Sequence, residues 1–187
     1  MTYIGSEHSG NMTNNENEGH PGAQIFHIAL YADLSLPQRP NVILLMAGTN
    51  DVMADNGLEE APGRLGILID RCLEACPDAT VLVAQLTDVV DRPAHARTVT
   101  FNKAVPKVVK ERADQGNKVA VVNMFDYVTT DGLMDGLHPS DIGYDGMAKA
   151  WYDGIIEAVG NGWITKPVKV KQEDAVDKEM EGEIEEL

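Results

Sequence analysis

The chain has 187 residues, 43% of them hydrophobic and 24% charged, the range of a globular protein with one sizeable core. Its formal net charge of −15 argues against a nucleic-acid backbone or an anionic membrane surface as partner and leaves neutral or cationic substrates open. The longest apolar runs, such as Val42 to Ala47, are far shorter than the roughly 20 residues that cross a bilayer, so no membrane span is expected. The first residues show no basic segment followed by an apolar one, and neither cellular address nor oligomeric state is written in the pattern.

Thr2-Tyr3-Ile4 reads as a stub of strand, and the polar, Gly- and Asn-rich stretch from Gly5 to Gly22 as a loop. Asn11-Met12-Thr13 within it is a glycosylation sequon, with meaning only in a secreted protein. Apolar residues at Ile25, Ile28, Ala29 and Tyr31 suit a short helix over Ala23 to Leu34, broken by Pro37 and Pro40. The unbroken apolar run Val42 to Ala47 predicts a strand buried on both faces of a sheet.

A helix is expected over residues 58–76, with Pro62 tolerated near its first turn, Pro77 closing it and Leu65, Ile69, Cys72 and Cys76 forming one apolar stripe. The two cysteines read as core residues, since one helix does not join them in a disulfide and no His or Cys partners complete a zinc site. Thr80 to Leu86 is the next expected strand, residues 87–96 a loop, and Arg97 to Asp114 a helix kinked at Pro106. A strand at Lys118 to Phe125 and a helix from Ser140, as N-cap, to Val159 complete the series. This alternation implies a parallel sheet with helices on both faces and a site at the carboxyl ends of its strands. The domain is expected over residues 1–163, and the Lys- then Glu-rich residues 164–187 form a charged tail expected to be disordered.

The chemistry concentrates in Asp135-Gly136-Leu137-His138-Pro139. Three residues apart across a glycine, Asp135 and His138 can meet in one tight turn, the carboxylate fixing the imidazole tautomer and leaving the other ring nitrogen to take a proton. Two other readings stay open on the residues alone: a turn with a histidine satisfied by backbone, or a divalent-metal site formed with Asp141. Gly48-Thr49-Asn50-Asp51 ends a strand, and Glu18-Gly19-His20-Pro21-Gly22 precedes a helix. His20 reads as a loop hydrogen-bonder, and His8, His27 and His95 carry no distinct signal.

These three stretches, in this order, resemble the SGNH (GDSL) hydrolase family, nearest its carbohydrate-esterase-like members. The resemblance covers residues 1 to about 160 and implies a three-layer α/β/α sandwich of flavodoxin-like order. It also implies an acyl-serine hydrolysis of carboxylic esters, without metal or organic cofactor. Small-molecule or polysaccharide esters, acetyl esters among them, are the implied substrates. By the same resemblance His138 is the base, Asp135 its orienter, and Asn50 and Gly22 the oxyanion-hole donors, with Gly19 in reserve for Gly22. The family's Gly-Asp-Ser block is absent from this sequence, and Ser6, Ser9, Ser35 and Ser140 do not match it. The chain is therefore expected to be a domain truncated at its N-terminus, missing the first strand and the nucleophile, and weakly active or inactive. A non-catalytic descendant that binds a sugar or a partner is the alternative.

Overall fold

The computed structural model describes residues 2–55 and 57–170. Its centre is a parallel sheet of β3 (Val42–Leu45), β4 (Thr80–Ala84) and β5 (Val119–Val122), in the order β3-β4-β5. Ile43 lies opposite Val81, and Leu82 opposite Ala120. A two-stranded antiparallel ribbon, β1 (Glu7–His8) with β2 (Glu16–Asn17), stands apart from it.

Helices cover both faces. On one side α1 (Ile25–Tyr31), α3 (Ala61–Ala75) and α4 (Arg92–Ala113) bury Ile25, Leu65, Ile69, Phe101 and Val105 against Val81 and Val83. On the other, α5 (Asp141–Gly160) packs Ala150 and Ala158 with Leu82, Ala84 and Val122. The result is the expected α/β architecture of three layers, with the strand ends at one rim carrying the loops of interest.

The helix signals act where chemistry requires. Pro62 sits in the first turn of α3, where its missing N–H costs nothing, and Ser140 caps α5 by accepting the Gly143 amide at 3.4 Å. Cys72 and Cys76 both face the core, and burial pushes the Cys72 thiol up to about 12 and the Cys76 thiol upward as well. Helix α4 continues through Pro106.

Four expectations need correction. Thr2 to Ile4 is not a strand, because the Tyr3 backbone is paired by a side chain, the Asn14 amide, which donates to Tyr3 O at 3.1 Å and accepts its N–H. The stretch read as one loop instead holds the β1–β2 ribbon. Helix α4 begins at Arg92, five residues before the expected Arg97, since Asp91 accepts the Ala94 amide at 2.9 Å and Pro93 lies in the first turn. Strand β3 is not buried on both faces: it is the sheet's edge, and Leu44, opposite Leu82 on the α5 side, is 39% exposed.

Gly48 to Asp51 do more than end a strand. Thr49–Ala54 is a six-residue helix, α2, entered through Gly48 at φ 126°. A β-carbon at Gly48 would come within 2.8 Å of the Phe101 ring, so the close approach of α4 and the positive φ both demand glycine. The expected tail extends over residues 171–187, which lie outside the described residues; residues 164–170 carry no helix or strand.

Candidate active site

Gly22 is the third residue of a turn closed by Ala23 N–H donating to His20 O at 3.1 Å. Pro21 presets the second position and Gly22, at φ 77°, supplies the left-handed third one, the signature of a type II turn. The turn feeds directly into α1. Its partner is α2: the Asn50 side-chain amide donates to Ala23 O at 2.8 Å. That bond orients the Asn50 amide and leaves its second N–H for something else. Among the described residues nothing accepts the Gly22 amide proton. Gly22 and Asn50 line one groove of about 400 Å³ with Gln24, His27, Met53 and Ala54. Gly19, in contrast, spends its amide on Asn17 Oδ1 at 2.9 Å.

Asp135 and His138 sit on the loop that leads from β5 to α5. His138 Nδ1 lies 2.8 Å from Asp135 Oδ2, and the same carboxylate accepts the backbone amides of His138 at 2.8 Å and Leu137 at 3.1 Å. Three donors on one carboxylate favour its charged form. The His138 amide, then its imidazole, then the Leu137 amide hold Asp135 down at about 2. With Nδ1 turned to the carboxylate, Nε2 is the nitrogen left to exchange protons. Both side chains are about half exposed or more.

A depressed carboxylate stabilises the pair at every pH above the ordinary carboxylate range, and that contribution disappears as pH falls through about 2. A carbon-13 titration of the Asp135 carboxyl is expected to show a midpoint near 2. A midpoint near 4, the usual value, would mean that the three hydrogen bonds do not hold in solution.

The two pairs occupy strand-end segments, Asn50 after β3 and Asp135–His138 after β5, and the first half of α4 with the residues just before it touches both neighbourhoods. Arg97 Nε donates to Val52 O in α2 at 2.6 Å, while Val90, just before α4, donates its amide to Gly136 O at 2.9 Å. Asn102 fixes the intervening loop by pairing both its amide atoms with the Leu86 backbone, at 2.8 and 2.9 Å.

Two histidines without a distinct sequence signal stand in this region. His27 lines the groove and accepts the Gln24 amide on Nδ1 at 3.2 Å, so its ring proton lies on Nε2. His95 pairs Nδ1 with Asp88 Oδ1 at 2.6 Å, a second His–Asp couple on the segment that reaches Gly136. Their only sequence cue is position: one turn into the helix after Gly22, and one turn into α4. His20 is held by Glu18 at 2.8 Å and stacked on Tyr31, as suits a loop hydrogen-bonder.

Among the described residues no three His, Cys, Asp or Glu side chains gather as a metal-ligand group. None of the four serines lines the groove. Ser6 donates to Glu18, Ser35 is buried, Ser140 caps α5 while donating to Gly132 O at 2.9 Å, and Ser9 lies exposed on the ribbon.

A family model described as "GDSL-like Lipase/Acylhydrolase family" matches residues 3–145, a span that holds all three sequence motifs and every residue of the two pairs. "Putative endoglucanase X" of Acetivibrio thermocellus is 35% identical over 122 residues, 63% of this chain, and the chain spans 51% of that relative's length. The structure of a Clostridium thermocellum family 3 carbohydrate esterase superposes with a TM-score of 0.72 at 29% identity, covering 84% of this chain and 80% of that one. A carbohydrate esterase family 3 structure from Talaromyces cellulolyticus shares the fold at a TM-score of 0.75 and 22% identity, covering 86% of this chain and 83% of the other. With the motifs, the layered sheet and the family match in agreement, the chain belongs to the GDSL-like lipase/acylhydrolase family, the SGNH hydrolases.

Proposed function

We propose that these residues are the acid–base and oxyanion half of a carboxylic-ester hydrolase acting by an acyl-serine route. The observation that carries the reading is the Asp135–His138 pair, whose carboxylate is triply bonded and whose imidazole keeps Nε2 for the reaction. In this reading Nε2 takes the proton of a serine hydroxyl as its oxygen attacks the ester carbonyl, then returns the proton to the departing alcohol. The imidazolium formed in between is stabilised by the ionised Asp135. The negative charge on the carbonyl oxygen is met by the Gly22 amide and the second N–H of Asn50, neutral donors that gain most when the charge develops. Gly22 is preferred to Gly19 because Gly19 has already given its amide to Asn17.

Polysaccharide acetyl esters are the proposed substrate class. Support comes from the family 3 carbohydrate esterase likeness, and a neutral acetyl ester suits a chain of net charge −15. Since each of the four serines has another place in the fold, the nucleophile is proposed to come from outside these residues. The same observation favours a second reading, a groove that binds a sugar ester without turnover.

One assay separates them. The 187-residue chain is expected to hydrolyse p-nitrophenyl acetate only about 10³–10⁴-fold faster than water, the residue left by a site lacking one triad member. A serine-directed phosphonate should leave that rate unchanged. Joining a strand that bears a Gly-Asp-Ser turn should raise the rate and make it phosphonate-sensitive; no gain on joining favours the binder. Fast, phosphonate-sensitive hydrolysis by the chain alone would place the nucleophile at one of its own serines.

A further inference from the structure

Asp51 is the most deeply buried acidic side chain near the groove, with 1% of its side chain exposed. Its Oδ2 accepts the Ile25 backbone amide at 2.9 Å, and its Oδ1 accepts from Arg64 at 2.8 Å. Ile25 is the first residue of α1, an amide with no partner inside its own helix. The local contact at that helix end, Gln24 N–H to His27 Nδ1 at 3.2 Å, leaves the Ile25 amide open, and it is a carboxylate from another helix that satisfies it. Burying a carboxylate costs several kcal/mol unless it is paired, and Arg64 in α3 supplies that pairing.

The consecutive residues Asn50 and Asp51 act on the same short segment from opposite chemical sides. Asn50 donates to Ala23 O, and Asp51 accepts from Ile25 N, two residues further on. Together they clamp the peptides that follow Gly22. We infer that Asp51 is a positioning residue for the oxyanion groove: its carboxylate, held by Arg64, draws the start of α1 onto α2 and so sets the Gly22 turn at a fixed distance from the Asn50 amide.

This rests on the reading of Gly22 and Asn50 as oxyanion donors, but its geometry can be tested without catalysis. A loose clamp lets the Gly22 turn pivot about Pro21, and a misplacement of about 1 Å can cost on the order of 10²-fold in rate. A residue that only stabilised the fold would weaken every part of it together.

The experiment compares the chain with its D51A and D51N variants by amide hydrogen exchange and NMR. Asparagine keeps one oxygen for Ile25 while giving up the charge that Arg64 neutralises, and alanine gives up both. In D51A the Ile25 amide and the Asn50 side-chain amide are expected to exchange at least about tenfold faster while Val81, Leu82 and Val83 of β4 keep their protection. D51N should fall between. If both variants leave Ile25 and Asn50 unchanged, or both lose β4 protection to the same degree as Ile25, the positioning role is overturned. In the form that hydrolyses p-nitrophenyl acetate, D51A should lower kcat by about 10²-fold with KM held within about twofold. An unchanged kcat beside a loosened turn would count against the oxyanion reading alone, leaving the clamp established.

Discussion

Phe101→Ala is expected to remove about 3–5 kcal/mol of stability, a large share of the roughly 5–15 kcal/mol that holds an ordinary domain together. The ring is 1% exposed, sits in the cluster that α3, α4 and the sheet share, and presses against Gly48 at the start of α2. Its loss opens a cavity beneath the glycine that launches Asn50 and Asp51. Chemical unfolding should show a lower midpoint with an unchanged slope, the mark of lost stability and not of a changed unfolded state. A shift below about 1 kcal/mol would mean that neighbours collapse into the space and that Phe101 is not the support of α2.

The second large effect is catalytic. In the form carrying a Gly-Asp-Ser strand, Asn50→Ala is expected to lower kcat by about 10²–10³-fold while KM stays near its starting value, because an oxyanion donor acts on the transition state and not on the bound ester. Ala23 O would lose its partner as well, at 2.8 Å in the native chain, so a modest loss of stability should accompany the kinetic one. Asn50→Asp sharpens the test, since it keeps the shape and puts a negative charge where one must develop. Equal hydrolysis by either variant and the parent would remove Asn50 from the mechanism.

How far these features were legible in the residues depends on how local their causes are. Strands β4 and β5 and helices α3 and α5 follow from apolar runs and stripes, a Pro in a first turn and the cap at Ser140, all within a few residues of the element concerned. The Asp135–His138 pair is legible for the same reason, since both partners lie in one turn. The early start of α4 was also encoded locally, as Asp91-Arg92-Pro93, a cap followed by a proline in the first turn, and the loop-like polarity of that stretch concealed it.

What could not be read is what depends on distant partners. Six residues of α2 are too few to announce themselves, and the helix is held through Phe101 against Gly48 and Arg97 on the Val52 carbonyl. Leu44 belongs to an apolar run that looks fit for burial on both faces, but a run does not tell which neighbours stand beside it. The burial of Asp51 is a third case: an aspartate at a strand-ending turn reads as solvent-facing until α1 and α3 are placed around it.

The two cysteines of α3 have a practical meaning for solution work. Burial pushes the Cys72 thiol up to about 12 and so disfavours the thiolate, the species that reacts with maleimides and iodoacetamides. Cys76 is likewise shielded, at 1% exposure. Both thiols are expected to react slowly with such reagents while the chain is folded. A single new thiol at the groove, by Met53→Cys, would therefore take a fluorophore or spin label selectively in the native background, with both core residues left in place to hold α3.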